Sequence, residues 1–256
     1  MRIYLVYSEN YKELLVNQNV LVSYARLPKE FKALEMPNHI NKVIIDSGAF
    51  SLSTGAVSDA EVNINGYVSW LQFFADKYKD RVAGYFNFDK LGDADQTLKN
   101  QKWLEYEGLN PIPVWHKGSD KSYLDYYCSN YEYIGLGGIA ASARYFGDSW
   151  DTIAQKNPDN KFHLFAMGIS GFRALKNFQP YSVDFTTWLD PVIYGRIPHW
   201  NGKKYSLDRL PLKVREKIRL DKEFRFSVLA KSIDTLLSLE DFQWDTLFKG
   251  YQMEFQ

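Results

Sequence analysis

Three aspartates, Asp46, Asp89 and Asp184, each lie at the end of a short apolar stretch. The stretch before Asp46, Val43–Ile45, is entirely β-branched, which predicts a strand buried on both faces. A carboxylate at the end of such a strand can attack a substrate, move a proton or accept hydrogen bonds from a ligand. An aspartate in this place also often caps the next helix, so each has a purely structural alternative.

Five more residues at predicted strand ends are candidates for the same pocket: Ser47, His116, Gly137, Gly138 and Met167. Each has a simpler interpretation when taken alone. His116 would then be a hydrogen-bonded structural histidine, and Met167 would form pocket wall or core. The glycine pair would be a tight turn, since it lacks the spacing and the lysine of a phosphate-binding loop.

The elements that must position these residues are eight short apolar runs, each closing on a polar or glycine-containing turn. The runs are Ile3–Ser8, Val20–Arg26, Val43–Gly48, Val82–Asp89, Ile112–His116, Tyr133–Gly138, Phe162–Gly168 and Tyr181–Trp188. Helical segments separate several of them, and strands that alternate with helices imply parallel pairing with right-handed crossovers. Eight such units in 256 residues predict an α/β fold of the (β/α)8 TIM-type barrel class, with an open doubly wound sheet as the alternative.

The predicted helices follow from apolar spacing and from residues that start or stop helices. The period of Ile64–Tyr78 predicts a helix that the capping box Ser58–Glu61 would start. Asp93 would begin a helix to Glu107, with Gly108 as its stop. Shorter helices are predicted over Ser119–Cys128, Ser149–Gln155 and Gly171–Phe178.

The pattern changes after Trp188. A loop is predicted over Asp190–Leu212, and helices over Leu212–Leu220 and Phe224–Leu237. We therefore predict a catalytic barrel core over residues 1–195. Residues 196–256 would be a basic loop and helices that complete the same domain.

The charge is balanced overall and unbalanced locally. The chain has 31 basic and 31 acidic residues, which excludes a bulk attraction for nucleic acid. Residues 196–231 nevertheless contain eleven lysines and arginines against four acidic residues. The candidate phosphate contacts in this stretch are Arg196, Lys203, Lys204, Arg209, Lys213 and Arg215. Its alternative is a solvated amphipathic helix.

Cysteine and histidine usage limits metal chemistry and location. The one cysteine, Cys128, excludes an internal disulfide and any multi-cysteine zinc site. None of the four histidines pairs at a spacing of four, so a zinc hydrolase is poorly supported. The N-terminal apolar run is too short for a signal peptide and no stretch is long enough to span a membrane. We therefore expect a cytoplasmic protein.

Three carboxylates at one edge of a barrel permit three kinds of chemistry. They can hold a divalent cation, or one can attack an anomeric carbon while another moves a proton. A carboxylate can also accept two parallel N–H bonds from the edge of a purine. The combination of the last two suits a nucleobase attached to a sugar.

Four motifs in order resemble the tRNA-guanine (queuine, archaeosine) transglycosylases. Asp46–Phe50 resembles their Asp-Ser-Gly-Gly-Phe motif, and Leu136–Ala140 resembles their Gly-Gly-Leu-Ala turn. Val114–Gly118 lies where the family has a strand ending in Gln-Gly-Gly, and Ser182–Asp184 where it has the nucleophile strand. The resemblance covers about residues 40–190 and is closer to a compact, often phage-encoded branch, some of whose members insert 7-deazaguanines into DNA.

The resemblance implies a role for each matching position. Asp184 is the implied nucleophile, and Asp46 the acid and base that acts on the nucleobase. Asp89 would bind the guanine edge, with the side chain of His116 and the main chain of the glycine pair 137–138 completing the pocket. The chain departs from the family at three points: it lacks the cysteine-rich zinc site, it has Ala49 in place of the second glycine, which narrows the turn, and it has His116 in place of glutamine.

The expected reaction is the exchange of guanine in a polynucleotide for a 7-deazaguanine such as preQ0, without a cofactor. DNA is the favoured polynucleotide because the zinc element is missing and the chain is short, with tRNA as the alternative. No membrane partner is expected, and a homodimer is left open. Two further classes stay open: a carboxylate-based glycosidase, and a catalytically silent homologue that binds nucleic acid. If the gene comes from a phage, the protein would act in the cytoplasm of the host cell.

Overall fold

The computed structural model describes residues 1–58, 62–138, 143–166, 178–201 and 205–240. The chain has an α/β fold made of two compact units. The N-terminal unit consists of residues 4–138 and 159–163, and the C-terminal unit of residues 1–3, 139–158 and 164–256. The predicted division into a core over 1–195 and an extension over 196–256 stays a prediction.

All eight predicted strands are present, most of them a few residues shorter than predicted. They are β1 (Arg2–Val6), β2 (Val20–Ser23), β3 (Val43–Asp46), β4 (Val82–Tyr85), β5 (Val114–His116), β6 (Tyr133–Gly137), β7 (Lys161–Leu164) and β8 (Ser182–Phe185). Val43, Ile44 and Ile45 of β3 are completely buried, as a strand covered on both faces requires.

The eight strands form one parallel sheet in the order β4-β3-β2-β1-β8-β7-β6-β5. Strands that follow each other in the sequence are thus adjacent in the sheet, except β4 and β5, which stand at the two ends of the order, and β1 also pairs with β8. A single parallel bridge also joins Phe86, just after β4, to Ile112, just before β5. The predicted α/β class with a parallel sheet is confirmed.

The helices alternate with the strands. They are α1 (Lys29–Lys32), α2 (Ala49–Ser53), α3 (Ile64–Lys77), α4 (Ala94–Tyr106), α5 (Lys121–Asn130), α6 (Ala143–Lys156), α7 (Asp190–Ile193), α8 (Leu212–Leu220) and α9 (Lys222–Leu237). Short 3₁₀ helices cover Glu9–Leu14, Tyr24–Arg26 and Thr187–Leu189. None of the helices in the described ranges combines the length and apolar character that crossing a membrane requires. The helix predicted over Gly171–Phe178 lies, apart from Phe178, outside the described residues.

The start of α3 differs from the prediction, whereas that of α4 matches it. The side chain of Asn63, and not the predicted box at Ser58–Glu61, caps α3 by accepting a hydrogen bond from the Gly66 N–H at 3.0 Å. Asp93 caps α4 by accepting from the Gln96 N–H at 2.9 Å. Gly108, predicted to stop α4, follows its last turn with a φ of 80°.

The segment predicted as the loop Asp190–Leu212 contains regular structure, so that prediction is wrong. After α7, strands β9 (Arg196–Trp200) and β10 (Tyr205–Arg209) form an antiparallel ladder. Pro198 pairs with Leu207 in a two-stranded sheet, where each strand has an edge that stays unpaired within the described residues and tolerates proline. The following helix, α8, has the predicted bounds.

The turn after β3 can be tested through Gly48. Its φ is 91°, and a Cβ placed there would lie 2.2 Å from the Cβ of Ala25. We expect Gly48→Ala to lower the free energy of unfolding by roughly 2–4 kcal/mol, since backbone strain and overpacking add. Urea unfolding measures this change.

Gly108→Ala is the matched control. Its φ of 80° is similarly left-handed, but nothing lies within 4 Å of the added Cβ. Only the conformational cost of roughly 1 kcal/mol is therefore expected. Equal losses in the two variants would mean that contact with Ala25 does not restrict position 48.

Candidate active site

The ends of β3, β4 and β5 bring four of the predicted site residues into the N-terminal unit. Asp46 is the last residue of β3 and Ser47 follows it, while Asp89 lies four residues beyond the end of β4. His116 ends β5 and is the register partner of Gly137 on the neighbouring strand β6. Parallel strands that end at one edge of a sheet deliver these side chains to one place.

The carboxylate of Asp89 is the centre of this group. The Ser47 hydroxyl donates to one of its oxygens, Oδ1, at 2.6 Å, and His116 Nε2 lies 2.7 Å from the other, Oδ2. The side chain of Asp89 is 6% exposed and that of His116 is 14% exposed. Because an ionised carboxylate only accepts hydrogen bonds, Nε2 carries the proton when Asp89 is charged. Two donors from two other strand ends therefore orient one buried acceptor.

Gly137 makes room for the imidazole. A Cβ at this position would lie 2.3 Å from His116 Nδ1 and 2.7 Å from its Cε1. Nδ1 itself is buried and has no hydrogen-bond partner within the described part of the chain. The absence of a side chain at Gly137 thus lets the ring of His116 reach Asp89. Gly138 follows in an exposed position with a φ of 70°.

Asp46 is partly buried at the entrance to the turn. Its Oδ2 accepts a hydrogen bond from the N–H of Gly48 at 3.0 Å. The N–H of Ala49 donates to the Ser47 hydroxyl at 3.2 Å, so the same turn also fixes Ser47. The expectation that Ala49 narrows this turn is wrong: Ala49 begins α2 in helical conformation, and the left-handed residue is Gly48.

Sequence reasoning missed Tyr67, which it placed only on the apolar face of a helix. Its hydroxyl donates to the carbonyl oxygen of Phe86 at 2.7 Å, just beyond β4. Burial raises the pKa of Tyr67 well above its ordinary value, and the carboxylates of Asp46 and Asp89 raise this pKa further. Both carboxylates therefore act on the same phenol. The helical period would have suited phenylalanine equally well, so it carried no signal for this role.

A small cavity adjoins Asp89. Its volume is about 340 Å³, within the range of small-molecule sites. It is bordered by α2, the start of α3 and the segment from Phe88 to Leu91, and Leu52, Ile64 and Phe88 supply apolar wall. The amides of Gln96 and Asn100, joined by a hydrogen bond of 2.8 Å, supply polar lining. The cavity combines apolar walls with a few polar groups, as ligand sites usually do.

Asp184 belongs to the C-terminal unit. It lies on β8, is 5% exposed, and accepts a hydrogen bond on Oδ1 from the N–H of Ala166 at 2.7 Å. The role of Asp184 as nucleophile stays a prediction. Met167, Lys203 and Lys204 lie outside the described residues.

Two other kinds of chemistry find little support in the described part of the chain. Burial raises the pKa of the Cys128 thiol to about 11, which disfavours the reactive thiolate. No group of three or more His, Cys, Asp and Glu side chains among the described residues is arranged to hold a metal ion. The expectation that the protein uses no zinc stays a prediction.

The arrangement in the N-terminal unit can bind a ligand edge that presents adjacent N–H donors, because the oxygens of Asp89 retain lone pairs beyond those that Ser47 and His116 occupy. Comparisons of the chain with models of protein families, with curated proteins and with solved structures found no match. Fold and local geometry therefore define the class of site: a carboxylate-centred pocket at the strand ends of an α/β protein.

The buried phenol gives a pH-dependent prediction. The folded-state pKa of Tyr67 lies above the unfolded value of 10.0. Its contribution to stability is therefore complete below pH 10 and is lost as the pH rises further. We expect Tyr67→Phe to cost roughly 1 kcal/mol at pH 8, from the lost hydrogen bond. Above pH 10, the free energy of unfolding of the unsubstituted protein should fall faster than that of the variant, by about 1.4 kcal/mol per pH unit.

Urea unfolding of both proteins from pH 8 to pH 11 measures this difference. The other tyrosines are present in both proteins, so their titration cancels in the comparison. Parallel curves above pH 10 would contradict the burial of the Tyr67 hydroxyl.

Proposed function

We propose that the protein is a base-exchange transglycosylase, a pentosyltransferase that replaces guanine in a polynucleotide by a 7-deazaguanine. The observation that carries the proposal is the buried Asp89, held by Ser47 and His116 beside Asp46. These residues occupy the positions whose motifs resemble the tRNA-guanine transglycosylases. We further propose that the eight-stranded sheet closes as a (β/α)8 barrel, which the strand order and the Phe86–Ile112 bridge support.

The chemistry of the purine edge favours Asp89 as the residue that recognises it. Guanine and 7-deazaguanine present N1–H and the exocyclic amino group side by side, and one carboxylate can accept from both. Adenine lacks this pair of donors. Ser47 and His116 keep the carboxylate in one orientation and compensate its burial, so the base meets a preformed acceptor.

The reaction needs a nucleophile and a group that moves one proton. In the proposed first step the Asp184 carboxylate bonds to C1′ as the C1′–N9 bond breaks, and guanine takes a proton from Asp46. In the second step Asp46 removes the N9 proton of the incoming base, N9 bonds to C1′ and Asp184 leaves. Two displacements retain the configuration at C1′. Hydrogen bonds from the N–H groups of Ala166 and Gly48 hold the carboxyl groups of Asp184 and Asp46 in fixed orientations.

A polynucleotide substrate agrees with the basic stretch. Of its eleven cations, nine are described, and in the described part of the chain only Arg196 has an ion pair, with Asp190. The others are Arg209, Lys213, Arg215, Lys217, Arg219, Lys222, Arg225 and Lys231. Cations without carboxylate partners suit a phosphate backbone. A base within a duplex must leave the stack to react, at a cost of about a few kcal/mol. We propose DNA as the acceptor, with tRNA as the alternative.

Incorporation of labelled guanine by the full-length protein tests the reaction. We expect label to enter duplex DNA, and Asp184→Asn or Asp46→Asn to lower the rate by at least about 10³-fold. Asp234→Asn, at an exposed site on α9, makes the same chemical change elsewhere and should leave the rate unchanged. Unmodified tRNA runs in parallel as the second acceptor. Label in tRNA alone would keep the chemistry and change the acceptor, whereas exchange by Asp184→Asn would disprove the covalent mechanism.

His116 gives a second test, because the resembling family has glutamine there. His116→Gln keeps an N–H donor for Asp89, so we expect exchange to persist. His116→Ala removes the donor to a buried charge, which is worth roughly 1.5–3 kcal/mol, or about 10- to 100-fold. The substitution should raise the KM for the free base more than it lowers kcat. If the two variants behaved alike, the hydrogen bond to Asp89 would not be the function of His116.

A further inference from the structure

Three arginines gather around one turn of the C-terminal unit. Arg196 and Arg209 are direct register partners at the end of the β9–β10 ladder. The side chain of Arg215, from α8, crosses the backbone at Gly195, where an added Cβ would lie 2.3 Å from its Cδ. The turn itself is held by a hydrogen bond of 2.9 Å from the Leu210 N–H to the Gly195 carbonyl.

The guanidinium groups of this cluster have more donors than acceptors. Arg196 gives one hydrogen bond of 3.1 Å to Asp190 Oδ2, and its guanidinium carbon lies 4.9 Å from the centre of the Tyr194 ring. The Nε atoms of Arg196 and Arg215 are both buried and have no acceptor in the described part of the chain. The side chain of Arg196 as a whole is 44% exposed and gives only this one hydrogen bond within the described residues, so its outer N–H groups are open to a ligand.

The positive charges of these arginines also indicate that the turn binds an acceptor group. Like charges placed directly opposite on two strands destabilise a ladder, and arginine cannot relieve this by losing its proton. Arg209 has no carboxylate partner among the described residues, and its neighbour Asp208 points to the other face of the strand. Of the three arginines, only Arg196 therefore has a carboxylate partner among the described residues, Asp190.

We propose that Arg196, Arg209 and Arg215 form a binding site for a phosphate group of the nucleic-acid backbone. A phosphate supplies acceptors for the exposed ends of the guanidinium groups and neutralises the repulsion between the paired arginines. The planar, forked guanidinium group of arginine is the side-chain group best suited to binding a phosphate. Asp190 and the ring of Tyr194 hold Arg196 in place, so part of the site is preformed. Only the choice of nucleic acid as the source of the phosphate rests on the proposed function.

Salt-dependent binding of a labelled single-stranded DNA oligonucleotide to the full-length protein tests the site. The slope of log K against log salt counts the neutralised phosphates, at about 0.7 for each contact with a single strand. We expect Arg209→Gln and Arg215→Gln each to reduce the slope by about that amount. Lys32→Gln, an equal charge change at an exposed position of the N-terminal unit, should leave the slope unchanged. Unchanged slopes in both arginine variants would overturn the site.

Arg215→Lys separates charge from geometry. It keeps the positive charge but replaces the planar guanidinium fork by a single ammonium group, so the slope should persist while affinity falls several-fold. Circular dichroism and urea unfolding check that each variant is folded. If Arg215→Lys bound as tightly as the unsubstituted protein, the proposed role of the guanidinium fork would be wrong.

Inorganic phosphate is the probe that distinguishes the source of the group. If thermal protection by phosphate were lost in Arg215→Gln while the oligonucleotide slope stayed the same, the site would take free phosphate and the nucleic-acid assignment would be overturned. Base exchange is measured separately. If the protein showed no base exchange but the arginine variants had the expected smaller slopes, only the proposed function would be refuted. If base exchange occurred but the arginine variants kept the slope of the unsubstituted protein, only the phosphate site would be refuted.

Discussion

The hydrogen bonds to the buried carboxylate of Asp89 set the requirements for the rest of the N-terminal unit. A carboxylate that is 6% exposed is costly unless donors surround it, and Ser47 and His116 supply them from two other strand ends. The registers of β3, β4, β5 and β6 must therefore be correct at the same time. A slip of one residue in β5 would turn His116 to the opposite face of the sheet.

Neighbouring groups that never contact Asp89 serve this same network. Gly137 leaves space for the imidazole, and Tyr67 fixes the Phe86 carbonyl three residues before Asp89. Asn87 contributes in a similar way, because its side-chain amide donates to the Thr97 carbonyl at 2.9 Å and ties the segment to α4. Groups on several strands and helices thus fix the position and orientation of one charge, which makes the pocket rigid before any ligand arrives.

The strands could be predicted because local sequence determines them. Three β-branched residues in a row form β3, and a single capping aspartate and a stop glycine frame α4. The hairpin β9–β10 could not be predicted, since its ladder depends on cross-strand pairs such as Leu207 with Pro198 that no local window contains. The prediction of where α3 begins was wrong for a related reason. Ser58 and Asn63 are both good caps, and the local sequence does not decide between them.

The candidate site was predictable residue by residue but not as a network. The strand-end rule selected Asp46, Ser47, Asp89 and His116, and the structure holds all four in one unit. That Ser47 and His116 both bind Asp89 follows only from register and rotamers. The convergence of Arg196, Arg209 and Arg215 likewise needed the hairpin, because sequence showed only a basic stretch.

The contact between Gly48 and Ala25 has a consequence for how this sequence can vary. Ala25 lies on the 3₁₀ helix after β2, is 9% exposed, and donates its N–H to the Ser47 carbonyl at 3.2 Å. Its methyl group occupies the space that a Cβ on Gly48 would need. A larger residue at position 25 would press on the turn that carries Asp46 and Ser47, although it lies outside every catalytic motif. The two positions are therefore epistatically coupled, and a library that randomises the pocket should hold alanine 25 and glycine 48 fixed as a pair.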